Sequence, residues 1–243
     1  SGNWSNGVPT ATSTVAIASA SFYPEITTTV AINTLDVAAS TSLTVKSGGN
    51  ITLTDKIANA GTITVENNAN LRQVNTTANT GSGSTIVERN TAALMRQDYV
   101  MWSSPVSGQQ LQAFSPNTLS TRFYTFDGSL GSAGQYVATS ATGSFDTGIG
   151  YLIRLPNNHP ATPTIWSGTF TGGNAINGTQ TQSSLTSGRY YAVGNPYPST
   201  ILADDFINDN SLTEAIYFWR KTNNAATSSY ATYTTAGGVS NSG

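Results

Sequence analysis

The chain has 243 residues, no cysteine, ten Lys and Arg against twelve Asp and Glu, and only 9% charged residues, well below the roughly 25% usual in soluble globular proteins. These numbers exclude disulfides and thiolate metal centres and leave no basic field to gather phosphates, so nucleic acid is not an expected partner. No apolar run nears the roughly 20 residues that span a bilayer, so no membrane insertion is expected, and the length allows two domains with a surface of hydroxyls and amides.

The first third is a ladder of apolar-x-apolar triplets: Val15-Ala16-Ile17, Val30-Ala31-Ile32, Leu35-Asp36-Val37, Leu43-Thr44-Val45, Ile51-Thr52-Leu53 and Ile63-Thr64-Val65. Residues two apart share a strand face, so each triplet offers two inward side chains. None buries that face alone, but stacked coils cover one another. Leu43 to Ile63 is twenty residues, as is Ile51 to Leu71. The spacing predicts a parallel β-solenoid over residues 1–90; an antiparallel meander is compatible with the strands but leaves the recurrence unexplained. Separators such as Ser47-Gly48-Gly49-Asn50 and Asn59-Ala60-Gly61 supply corners, where Gly and Asn accept positive φ.

From about residue 91 aromatics become common and a second repeat appears. Tyr99 and Pro105 are matched by Tyr190 and Pro196, and each Pro is followed by a Phe (Phe114, Phe206), an aromatic strand (Phe123-Tyr124-Thr125-Phe126, Ile216-Tyr217-Phe218-Trp219) and a further Tyr (Tyr136, Tyr230). The near-constant offset predicts a duplicated β-sandwich-like domain over 91–243, with copies at about 91–185 and 186–243. The first copy continues into Gly148-Ile149-Gly150-Tyr151-Leu152-Ile153, a buried-strand pattern whose equivalent falls near residue 241. The second copy is therefore expected to lack its closing strand, leaving an edge for the rest of a longer polypeptide or another molecule to cover. Helix is expected to be nearly absent, the best candidate following Pro198-Ser199-Thr200 for one or two turns, with Leu202 and Phe206 on one face and Asp204 and Asp205 in the first turn.

Few residues suggest chemistry. The only histidine, His159, lies between prolines in a turn and is expected to be solvated. Asp36, Asp55, Glu66 and Glu88 do not recur on one face and read as single solvated charges rather than a glycosidase pair. Asp204, Asp205 and Asp209, with Asn208 and Asn210, form the densest set of oxygen donors, but their spacing is not that of an EF-hand. Capping and turn formation explain them better, so no metal and no cofactor is expected. Most Trp and Tyr read as core, including the same-face pairs Tyr217 with Trp219 and Tyr124 with Phe126. Tyr190, Tyr191, Tyr230 and Tyr233 are the candidates for exposed rings that could stack on a ligand. The string Gly194-Asn195-Pro196-Tyr197-Pro198-Ser199 holds two pre-proline positions in extended geometry and reads as architectural.

The Trp4-x-x-Gly7 opening, the Leu43-Thr44-Val45 and Asn59-Ala60-Gly61-Thr62-Ile63 strings, residues 99–105 (YVMWSSP), Gly150-Tyr151-Leu152, residues 194–199 (GNPYPS) and Tyr217-Phe218-Trp219 together resemble a module of large secreted Bacteroidota proteins. The resemblance implies export by the type IX secretion system and display on the cell surface, and it offers no catalytic residues to carry over. The expected role is structural or adhesive, in a large surface protein or filament, with partners among other domains or subunits of that protein, polysaccharide or solid surfaces. The alternative is a carbohydrate-binding module accessory to a polysaccharide-degrading enzyme. The chain itself is not expected to be an enzyme.

Overall fold

The computed structural model describes residues 4–210, 215–220 and 229–239. The first coil of the solenoid holds β1 (Thr14–Ile17), β2 (Glu25–Ile26) and β3 (Thr29–Ile32); the second holds β4 (Thr34–Val37), β5 (Ser42–Val45) and β6 (Asn50–Leu53); the third holds β7 (Ile57–Asn59), β8 (Thr62–Val65) and β9 (Asn70–Gln73). Equivalent strands pair in parallel, coil upon coil, in three sheets that begin β1-β4-β7, β2-β5-β8 and β3-β6-β9. The twenty-residue recurrence is the register itself, since Leu43 faces Ile63 and Ile51 faces Leu71.

Every triplet turns its two apolar residues inward, so Leu35, Val37, Leu43, Val45, Ile51, Leu53, Ile63 and Val65 are all buried in one column. The corners repeat as the strands do. Gly48 (φ 84°) and Asn68 (φ 62°) occupy the same corner in successive coils, a left-handed position suited to Gly and Asn. At another corner a Cβ on Gly61 would stand 2.3 Å from the Thr41 carbonyl oxygen, so only glycine lets the coils close to stacking distance. Buried polar groups there are paired: Thr41 Oγ1 donates to the Ala38 and Ile17 carbonyls, and the Asn59 side chain bridges Gly61 N and Ser84 O.

The fourth turn ends the stack. Thr80 bridges Ala58, and β10 (Ser84–Leu94) pairs in parallel with β8. Beyond the solenoid β10 continues into the antiparallel domain. That domain adds β11 (Tyr99–Trp102), α1 (Leu111–Phe114), β12 (Phe123–Asp127), β13 (Gln135–Ala138), β14 (Tyr151–Arg154) and β15 (Thr164–Gly172). The long β10 pairs antiparallel with β15 through a bulge between Asn90 and Ala93, so solenoid and domain share the five-stranded sheet β15-β10-β8-β5-β2. A four-stranded antiparallel sheet, β11-β14-β12-β13, turns one face to α1 and β15, which Trp102 of β11 meets through Phe114, Trp166 and Phe170. Between them Trp102, Phe114, Phe145, Trp166 and Phe170 interlock mostly edge to face, with Phe114 and Phe170 stacked at 4.2 Å.

The other face of that sheet meets the C-terminal elements. After α2 (Ala203–Asp209) come β16 (Ile216–Arg220), β17 (Ser229–Thr234) and β18 (Gly237–Val239), a three-stranded antiparallel sheet. An aromatic seam joins the two sheets. Tyr136 meets Phe126 and Trp219 edge to face, Trp219 meets Tyr230, and Trp219 Nε1 donates to Tyr99 O at 2.9 Å. Both halves of the domain run helix and then hairpin, α1-β12-β13 and α2-β16-β17. They differ at the repeated Tyr-to-Pro string. Residues 99–102 form β11, whereas 190–194 form an irregular edge held by Gly150 N to Ala192 O and Gly194 N to Gly148 O. The closing strand expected near residue 241 falls outside the described residues.

Two packing expectations are corrected. Tyr217 is 48% exposed rather than core, because only the Trp219 end of β16 lies on the seam, and its ring meets Tyr190 instead. His159 is not solvated: its turn folds back on the end of β10, where Nε2 donates to the Leu94 carbonyl at 3.0 Å, and the residue is buried.

Candidate functional site

The junction of solenoid and antiparallel domain forms a partly open cavity of about 320 Å³, lined by Arg89, Trp102, Ser103, Asn195, Tyr197 and Thr200 among others. It exists because β10 carries Arg89 past the last coil and residues 194–200 fold over the solenoid's end. There Leu71 N donates to Pro198 O at 2.9 Å and Thr200 N to Asn70 Oδ1 at 2.9 Å. Asn195 pins the segment locally, accepting from Tyr197 N and donating to Ser199 O. The architectural role expected of GNPYPS is thus specific, since this string covers the free edge of β9.

Arg89 donates to the Glu66, Ala69 and Glu88 carbonyls at 3.2, 3.2 and 2.7 Å, clamping the corner of the third coil. No ion pair joins it to a described carboxylate, and burial pulls its pKa down. Ser103 Oγ is buried without a partner. The cavity can hold a small polar group; the imidazole of His159 is committed elsewhere, to the Leu94 carbonyl.

A second polar constellation lies on the seam-side face of the four-stranded sheet. Arg154 N donates to Arg122 O at 3.2 Å, placing these residues side by side on β14 and just before β12. Tyr99 pairs with Arg154 across β11, and Tyr124 follows Arg122 by two residues on the same face. The Tyr99 and Tyr124 rings meet edge to face at 5.9 Å, and Arg122 Nη1 donates to Tyr124 Oη at 3.2 Å. Burial, reinforced by Tyr124, pushes the Tyr99 phenol up, while the hydrogen bond to Tyr124 holds Arg122 in its charged form.

The tyrosines singled out from sequence are not brought together as one platform. Tyr190 is 52% exposed beside Tyr217. Tyr191 packs on Gly128 and accepts from Thr186 N, and Tyr230 is taken up by Trp219 and by Tyr136 Oη at 3.0 Å. Tyr233 donates to Asp204 Oδ1 at 2.9 Å, which raises its pKa. Asp204 and Asp205 lie in the first turn of α2, but its N-cap is Leu202, with no side-chain cap; Asp209 closes the helix. Among the described residues no three His, Asp or Glu side chains converge, and no helix is long and apolar enough to cross a membrane.

Sequence reasoning missed Arg89, Arg122 and Arg154. The i, i+2 spacing of Arg122 and Tyr124 was a visible signal of a shared face, whereas the pairing of Arg154 with both β11 and β12 was not.

Comparison with protein families gives a match to a family model described as a domain of unknown function, DUF8693, over residues 1–242. The chain belongs to that family. No curated protein and no solved structure matches it. The DUF8693 match spans solenoid, junction and antiparallel domain together.

Proposed function

We propose that this DUF8693 chain is a structural and adhesive module of a large secreted bacterial surface protein or filament. The observation that carries the reading is β10, one strand that belongs at once to the solenoid and to the antiparallel domain. Tension or shear applied to one part passes to the other through backbone hydrogen bonds instead of a linker. A hydroxyl- and amide-rich surface of low charge suits many weak contacts multiplied by repetition. Partners on this reading are neighbouring domains or subunits, polysaccharide and solid surfaces.

Protease shaving of intact source cells is expected to release peptides of this chain, and single-molecule pulling is expected to show one cooperative rupture for the whole module. Peptides released only after lysis would overturn the surface location. Separate ruptures of solenoid and domain would overturn the role of β10.

A carbohydrate-binding module is the second reading, favoured by the exposed Tyr190 and Tyr217 rings. Saturable glycan binding lost in Tyr190→Ala and Tyr217→Ala, with the fold retained, would promote it over the first.

A further inference from the structure

We infer that Arg122 and Arg154, with Tyr99 and Tyr124, form a binding site for an acidic saccharide, gripping a carboxylate or sulfate group that the sugar carries. The two arginines are cross-strand neighbours, and like charges directly opposite each other destabilise a sheet. No ion pair joins either to a described carboxylate. The Nε atom of each is buried without a hydrogen-bond partner, although a guanidinium is a five-donor group. Two charges without a carboxylate partner on adjacent rungs, each with an unsatisfied donor beneath its outer nitrogens, form a local deficit that one oxyanion relieves in part. An oxyanion bridging the two guanidiniums offsets one of their two charges, screens the repulsion between them and accepts N–H groups from both, the geometry for which arginine is suited.

The surroundings favour a sugar as the carrier. Tyr99 and Tyr124 border the arginines with ring faces and hydroxyls, and Arg154 Nη2 lies 3.4 Å from Asn157 Oδ1, an exposed amide beside the fork. This mixture of rings, amide and hydroxyls complements a polyhydroxylated ring. A nucleic acid would need a longer row of cations than a chain with ten Lys and Arg and net charge −2 supplies here. The site is independent of the scaffold reading: a rigid module without a ligand would pass the pulling test and fail this one.

The test is isothermal titration of the full chain with polygalacturonate, dextran sulfate, neutral dextran, inorganic sulfate and single-stranded DNA. Saturable binding to polygalacturonate or dextran sulfate and none to dextran is expected; the polymer that binds identifies the group as carboxylate or sulfate. Arg122→Gln/Arg154→Gln is expected to weaken binding at least tenfold. Arg72→Gln/Lys56→Gln, an equal loss of charge at exposed solenoid positions, is expected to leave it unchanged. Should the glutamine pair fail to fold, Arg122→Lys/Arg154→Lys keeps the charge but loses the fork, and a severalfold loss is expected. No binding to either acidic polymer would overturn the proposal, as would full binding by the lysine pair, equal loss in the solenoid control, or equally tight binding of DNA or free sulfate.

Discussion

Asn70 donates its side-chain amide to Asn50 Oδ1 on the coil below, at 2.7 Å, and accepts the Thr200 N–H from the covering segment at 2.9 Å. Asn50 in turn donates to Thr29 Oγ1 at 3.3 Å. One polar column therefore runs through three coils and ends in a segment 130 residues away in sequence. Asn70→Ala leaves Thr200 N without its partner, and it is expected to cost about 1–3 kcal/mol. Denaturant unfolding measures this, and an unchanged midpoint would mean that the column is decorative.

The apolar column sets a larger scale. Ile63 is fully buried between Leu43 on the coil below and Thr85 on the one above. Ile63→Ala is expected to destabilise by roughly 2–5 kcal/mol, because a stack that is hydrogen-bonded on both sides relaxes poorly around a cavity. The same change at Ile165, which is 57% exposed, is expected to leave the thermal midpoint nearly unmoved.

Gly81 combines φ 107° with a position where a Cβ would stand 2.0 Å from Asn59 O. Gly81→Ala is expected to cost several kcal/mol or to abolish folding, since strain and overlap add. Gly7 also has positive φ but open space around it, so Gly7→Ala separates the two effects and is expected to be mild. Equal damage at both positions, read by thermal melting, would show that dihedral strain alone decides.

Lys46 bridges coils by pairing with Glu66 above and lying 3.9 Å from Glu25. Its hydrogen bond lowers the Glu66 pKa from 4.5 and raises that of Lys46 from 10.5. A depressed carboxylate stabilises above its unfolded value and loses this as pH falls through its folded one; a raised ammonium stabilises below its unfolded value and loses this as pH rises through its folded one. The contribution is thus present between about 4.5 and 10.5 and fades on both sides, modestly, because the pair is solvated. Lys46→Gln is expected to flatten both limbs of a melting-temperature profile, and a profile parallel to the parent's would remove the pair from the account.

The solenoid was legible because its signal is local: two inward residues per strand and a constant return of about twenty. What covers its last coil was not, because Leu71 meets Pro198 and Asn59 meets Thr80 through chain paths that composition does not fix. The aromatic string Tyr217-Phe218-Trp219 announces a strand correctly, yet alternation alone does not tell which end lies on the seam, so Tyr217 reads as inside and lies outside. His159 reads as a loop tip because its neighbours are turn formers; the carbonyl of Leu94 that draws it inward is 65 residues away. The arginine pair depends on the strand order β11-β14-β12, an order the sequence repeat does not contain.

Thr80, β10 and Pro198 close the three sheets of the solenoid at one end, whereas the outer edges of β1, β2 and β3 have no strand partner among the described residues. The count of coils is therefore uncoupled from everything beyond β10. A duplicated coil inserted on the open side would lengthen the rod by about 4.8 Å while the junction, the seam and the arginine pair stayed where they are. Reach becomes a quantity that evolution or an engineer can set in fixed increments, like rungs added to the foot of a ladder whose top is already fastened.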